Sequence, residues 1–123
     1  MKYEDLTEKI IGCAYKVYNT LGFGFLESVY ENALVIELKK AGFRAEQQYP
    51  IDVYYDGECV GAFKADVIVN ELIILELKSV QVIRKEFEVQ LVNYLTATMK
   101  PVGLILNFGP KKVDVKRKVR ILP

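Results

Sequence analysis

The chain has 123 residues, 51% apolar and 27% charged, and its 17 basic and 16 acidic side chains leave a net charge of +1. That length suits one domain with a real core, the composition argues against disorder, and the near-zero charge leaves no global field to announce a nucleic-acid or membrane partner. Histidine is absent, which excludes Ser-His and Cys-His nucleophile systems, imidazole acid–base catalysis and His-rich zinc sites.

The opening MKYEDLTEKI has no apolar run of signal-peptide type. No segment approaches the ~20 apolar residues needed to span a bilayer, so the expected location is cytoplasmic, without a membrane partner. Residues 4–22 place Leu6, Ile10, Ala14, Val17 and Leu21 at helical spacing, and Asp5 with Glu8 resembles a capping box. Gly22 and Gly24 then serve an inter-helix turn; no Walker-type lysine follows to make them a phosphate loop. Residues 25–43 predict a second helix with Leu26, Val29, Ala33 and Ile36 as its apolar stripe, lysines in its last turn and Gly42 as its stop.

The period then changes to two. EQQYPIDVYY (46–55) predicts a strand, DGE a turn, CVGAFKADVIV (59–69) the returning strand, NEL another turn, and IILELKSV (73–80) a third strand. RKEFEVQLVNYLTATM (84–99) is helical through Phe87, Leu91, Tyr94 or Leu95, and Thr98, with Pro101 beyond its end. VGLILNF (102–108) fits a strand buried on both faces, and VDVKRKVRIL (113–122) alternates as a final strand. Cys13 and Cys59 stand far apart without metal-ligand spacing, and both are expected to be small buried hydrophobes in a reducing compartment. The order ααβββαββ describes an α/β domain, a central mixed sheet flanked by helices.

Charge enters this sheet where apolar residues should be. Glu76 and Lys78 alternate on one face of the third strand, and a three-residue loop at Asn70–Leu72 would set Asp66 directly opposite Glu76. A two-residue loop would put the carboxylates on opposite faces unless a bulge restored the register. Facing carboxylates repel, and burial among apolar neighbours adds a desolvation cost. A divalent cation such as Mg²⁺ (or Mn²⁺) between them would offset both, with Lys78 at hand for a phosphate oxygen or an attacking water. The alternative is a cross-strand salt bridge of Asp66 or Glu76 with Lys78 or Lys64 on a solvated face, though central strands gain little from ion pairs.

Asp66 followed by Glu76-Leu77-Lys78 across a hairpin resembles the D…(D/E)-x-K signature of the PD-(D/E)XK nuclease superfamily. Gly24-Phe25-Leu26-Glu27-Ser28-Val29-Tyr30 is similar to the G-x-x-E-x-x-Y motif that names a family of small prokaryotic proteins within it. Gln90-Leu91-Val92-Asn93-Tyr94 resembles the Q-x-x-x-Y motif of RecB-type nucleases. The three motifs occur in order, each on the expected element, over most of the chain. One departure is Ala65, where the superfamily name implies proline. The resemblance implies a restriction-endonuclease-like core and a single nuclease-like domain over residues 1–123. It also implies a Mg²⁺- or Mn²⁺-dependent nuclease that hydrolyses phosphodiesters in DNA, with RNA second. Glu27, Asp66 and Glu76 would hold the metal, Lys78 would act as catalytic lysine, and Gln90 and Tyr94 would line the site and touch substrate.

Taken alone, several of these residues have plainer explanations. Glu27 in a helix's first turn is favoured by the helix dipole whatever its function. Gln90 and Tyr94, four apart, suit a polar contact beside a core tyrosine, and Tyr30 suits core packing with a bonded hydroxyl. Lys112, Lys116, Lys118 and Arg120 line one face of the last strand, diluted only by Asp114. They suit either a strip that tracks a phosphate backbone or the lysines that protect a sheet edge. A non-catalytic nucleic-acid-binding or protein-interaction module on the same fold is the alternative to the enzyme, and a homodimer would present two sites.

Overall fold

In the computed structural model, residues 3–120 are described. Helices α1 (Glu4–Leu21) and α2 (Glu27–Lys40) precede strands β1 (Ala45–Tyr55), β2 (Glu58–Val69) and β3 (Ile73–Lys78). Helix α3 (Lys85–Thr98) and strands β4 (Val102–Phe108) and β5 (Val113–Val119) follow. The expected order ααβββαββ is the observed one. The strands form one sheet in the order β1-β2-β3-β4-β5; β3 and β4 run parallel and the other pairs antiparallel. Because α3 must return the chain between parallel neighbours, it crosses one face of the sheet.

The core has two layers. On one face, Ile10, Ala14 and Val17 of α1 and Leu34 and Leu38 of α2 pack on Val67, Leu75, Leu77, Leu104 and Phe108. On the other, Leu91, Tyr94 and Leu95 of α3 pack on Ile68, Ile74 and Ile105. With both faces covered, every residue of β4 is buried. Gly103 lets α3 come close: a Cβ there would stand 2.7 Å from Leu91 Cδ1.

Several local expectations are corrected. Helix α2 faces the sheet through Tyr30, Leu34, Val35 and Leu38, leaving Leu26 78% and Ile36 59% exposed. Apolar residues occur all around this helix, so spacing alone could not choose its buried face. Helix α1 starts after Tyr3 with no side-chain cap, and Asp5 lies inside its first turn. The β1–β2 hairpin closes through two residues, Asp56 and Gly57, both at positive φ as a type I′ turn requires, so β2 begins at Glu58. Cys13 is buried but Cys59 is exposed, since the hairpin's outer half has no layer over it. The part of the final strand expected over residues 121–122 lies outside the described residues.

Candidate active site

The expected three-residue loop is present. Asn70 and Glu71 adopt left-handed φ of 52° and 59°, and Val69 pairs with Ile73, Ile68 with Ile74, and Val67 with Leu75. Continuing that register sets Asp66 opposite Glu76, but there the main-chain ladder stops and side chains replace it. The Asp66 amide donates to Glu76 Oε2 at 2.9 Å, and the Leu77 amide donates to Asp66 Oδ2 at 2.8 Å. Toward β1 the ladder also skips Asp66, because Gln48 opposite it has a left-handed φ of 54°. The facing of β2 changes at this point: Ala65 packs on the α3 side and Val67 on the α1/α2 side.

The two carboxylates therefore share a gap in the sheet. Glu76 is only 7% exposed. Burial first, and then the charge of Asp66, push its carboxyl up from the ordinary 4.5 to about 8, against the pull of the Asp66 amide and Lys78. Asp66 is raised as well, chiefly by burial; the Leu77 amide opposes this and the charge of Glu31 adds to it. The pair thus holds a proton at neutral pH that a cation could replace. Each carboxylate commits one oxygen to the facing strand, while Asp66 Oδ1 and Glu76 Oε1 have no hydrogen bond among the described residues. Hard, partly neutralised oxygens of this kind fit a divalent cation that completes its shell with water. Among the described residues, no three His, Cys, Asp or Glu side chains converge into a metal-binding group. The pair is what the residues bring together, with Glu27 an exposed electrostatic neighbour that raises both carboxyls.

Local packing explains how Glu27 comes to be there. The Tyr30 hydroxyl donates to the Gly22 carbonyl and accepts from the Phe25 amide, and its ring stacks on Phe108 at 4.4 Å. Ser79 Oγ donates to the Phe25 carbonyl at 3.1 Å, tying the start of α2 to the end of β3. Tyr30 is thus a core latch, as its motif-independent reading had it. Lys78 forms no ion pair with a described residue; its ammonium lies 4.3 Å from the centroid of the Phe87 ring. Buried Asn107, the β4 neighbour of Lys78, accepts from the Val80 amide and donates to the Val80 carbonyl, fixing the chain just beyond the lysine.

On α3, Tyr94 is buried near the pair: burial and then the charges of Glu76 and Asp66 raise its phenol, while Gln90 lies within hydrogen-bonding reach. The four basic residues of the last strand are not drawn into this cluster. Lys118 is committed to Glu88 of α3 at 2.7 Å, and Lys112 lies 3.9 Å from Asp114. Exposed Lys116 pairs with Ile105, which pairs with Glu76, so it stands two strands from the carboxylates, about 10 Å away in the sheet direction. Arg120 follows β5, its amide donating to the Pro101 carbonyl. β5 is a sheet edge, a position where lysines hinder strand pairing whether or not they also meet phosphate.

Sequence reasoning missed Glu31. It is 9% exposed on α2, held by the Gln47 amide at 2.8 Å and by Gln48 at 3.1 Å to each oxygen. Its charge bears on Asp66 more strongly than that of Glu27. The available signals were its i,i+4 relation to Glu27 and the paired glutamines at a strand start.

The sequence matches the protein family described as PD-(D/E)XK nuclease superfamily over residues 4–118. No functionally curated protein matches it. Two similar crystal structures place the fold. That of SSO0001 has a TM-score of 0.59 at 19% identity, covering 99% of this chain, which spans 61% of the length of SSO0001. The alkaline exonuclease LHK-Exo from Laribacter hongkongensis has a TM-score of 0.52 at 10% identity, covering 93% of this chain and 82% of its own.

Proposed function

This chain belongs to the PD-(D/E)XK nuclease superfamily, and from that premise we propose that it hydrolyses phosphodiester bonds in DNA with the help of Mg²⁺ or Mn²⁺. The reading treats residues 1–123 as one nuclease-like domain carrying the G-x-x-E-x-x-Y and Q-x-x-x-Y motifs. The observation that supports it best is the gap between β2 and β3, where half-buried Asp66 faces buried Glu76, and Lys78, which forms no ion pair with a described residue, lies two residues on.

In this proposal Asp66 and Glu76 hold the cation, and Glu27 adds charge at the edge of the shell. When bound, the cation supplies Lewis acidity toward water and phosphate. Lys78 offsets the charge that develops on the phosphate oxygens and helps hold the attacking water. Gln90 and Tyr94 meet the substrate from α3, and Asn107 keeps Lys78 in place through Val80.

The test compares wild type with Lys78→Ala and Glu76→Gln on labelled single-stranded, duplex and branched DNA, and on RNA, with Mg²⁺, Mn²⁺ or chelator. Cleavage by wild type that requires metal and falls at least about a hundredfold in Lys78→Ala supports the proposal. Intact substrates under every condition, with no cation binding by calorimetry, would overturn it.

A further inference from the structure

Strand β3 pairs with β2 only at Val67–Val69, so the outer half of the β1–β2 hairpin extends past the sheet as a two-stranded arm. Between that arm and α3 runs a groove of about 970 Å³, within the size of small-ligand sites. Its walls are mostly aromatic and aliphatic, though the carboxylates Asp52 and Glu86 line it too. Tyr54 is 64% and Phe63 45% exposed, Val89 faces them from α3, and Phe63 meets the Tyr94 ring at 5.8 Å. Gln90 and Asn93, three apart on one helix face, add amide donors and acceptors, and Lys85 at the groove forms no ion pair among the described residues.

Tyr94 joins this groove to the carboxylate pair, since it lines the groove and shares a buried cluster with Ala65, which precedes Asp66, and Ile105, which pairs with Glu76. We propose that the groove holds unpaired nucleobases of the strand whose phosphate sits at Asp66 and Glu76, stacked on Tyr54 and Phe63. This rests on the nuclease reading and narrows its substrate to DNA with a single-stranded end, flap or extruded nucleotide. A continuous duplex keeps the faces of its bases stacked and offers them to no such surface. The amides of Gln90 and Asn93 suit the edges of a base, and Lys85 suits the phosphate that follows it.

The experiment measures binding, without metal, of a short oligothymidylate and of an equally charged strand with abasic spacers in place of its bases. Wild type should prefer the base-bearing strand by about five- to a hundredfold, and Phe63→Ala and Tyr54→Ala should lose most of that preference while still binding both strands. Tyr54→Trp, the only tryptophan in a chain with none, should be quenched by oligothymidylate and not by the abasic strand. Equal wild-type affinity for both strands overturns the groove assignment and leaves the nuclease reading to its own cleavage test. A wild-type dimer in sedimentation that Val89→Glu dissolves, with no base preference, would overturn it in favour of a second copy on this face. Failure to bind or cut any nucleic acid would sink both.

Discussion

Replacing Glu76 with glutamine removes a charge while keeping an oxygen that can accept from the Asp66 amide. The carboxyl is raised to about 8 in the folded chain from an ordinary 4.5, by burial and by Asp66. Below pH 4.5 it is protonated folded or unfolded, and the substitution should change little. As pH rises, the unfolded chain ionises first, so Glu76 destabilises the fold by about 1.4 kcal/mol per pH unit until the folded value is passed. Glu76→Gln should therefore stabilise the protein by about 3 kcal/mol at pH 7 but less than about 1 kcal/mol at pH 5. For a domain of this size the pH 7 difference corresponds to a rise in Tm of about 10 °C. Urea and thermal unfolding of both proteins from pH 5 to 8, followed by circular dichroism, measure the gap and its slope. A gap that is absent, or that does not grow with pH, would refute the reasoning: Glu76 would then be ionised without strain, and the electrostatic case for a cation would lose its footing.

Saturating Mg²⁺ should stabilise wild type more than Glu76→Gln and so narrow the same gap at pH 7, seen as a smaller Tm difference. Gly103→Ala should cost about 1–3 kcal/mol in urea unfolding, because the added methyl enters the space of Leu91. Tyr30→Phe should cost about 1–2 kcal/mol, since the Gly22 carbonyl and the Phe25 amide both lose their hydroxyl partner beside Phe108. In oligonucleotide binding, Lys116→Ala should reduce the salt slope by nearly one, and Lys118→Ala by less, because Lys118 is already engaged with Glu88.

Much of the architecture was legible because the hydrophobic period switches cleanly from helix to strand and back. VGLILNF, apolar but for Asn107, fits a strand covered on both sides. The site was legible where it depends on register: three residues between Val69 and Ile73 suffice to bring Asp66 across from Glu76. What failed has a common cause, the need for information from distant chain. The buried face of α2 is decided by Tyr30 meeting Phe108, seventy-eight positions on, and not by the spacing of Leu26 and Ile36. Glu31 looks like a surface charge until Gln47 and Gln48 are seen to enclose it. Asn107 sits in an otherwise apolar strand because the chain at Val80 needs both a donor and an acceptor there.

The gap in the ladder carries a warning for mutagenesis. Glu76 is the acceptor for the Asp66 main chain, and Asp66 is the acceptor for the amide beside Glu76, so each acid is part of the other's scaffold. Truncating either to alanine strips an oxygen from the pocket and also releases the neighbouring backbone, and the two losses would appear as one. Amide-for-acid exchanges at both positions, singly and together, separate them: at pH 7 the paired change should stabilise by less than the sum of its parts, because either exchange alone already relieves the repulsion between the two acids.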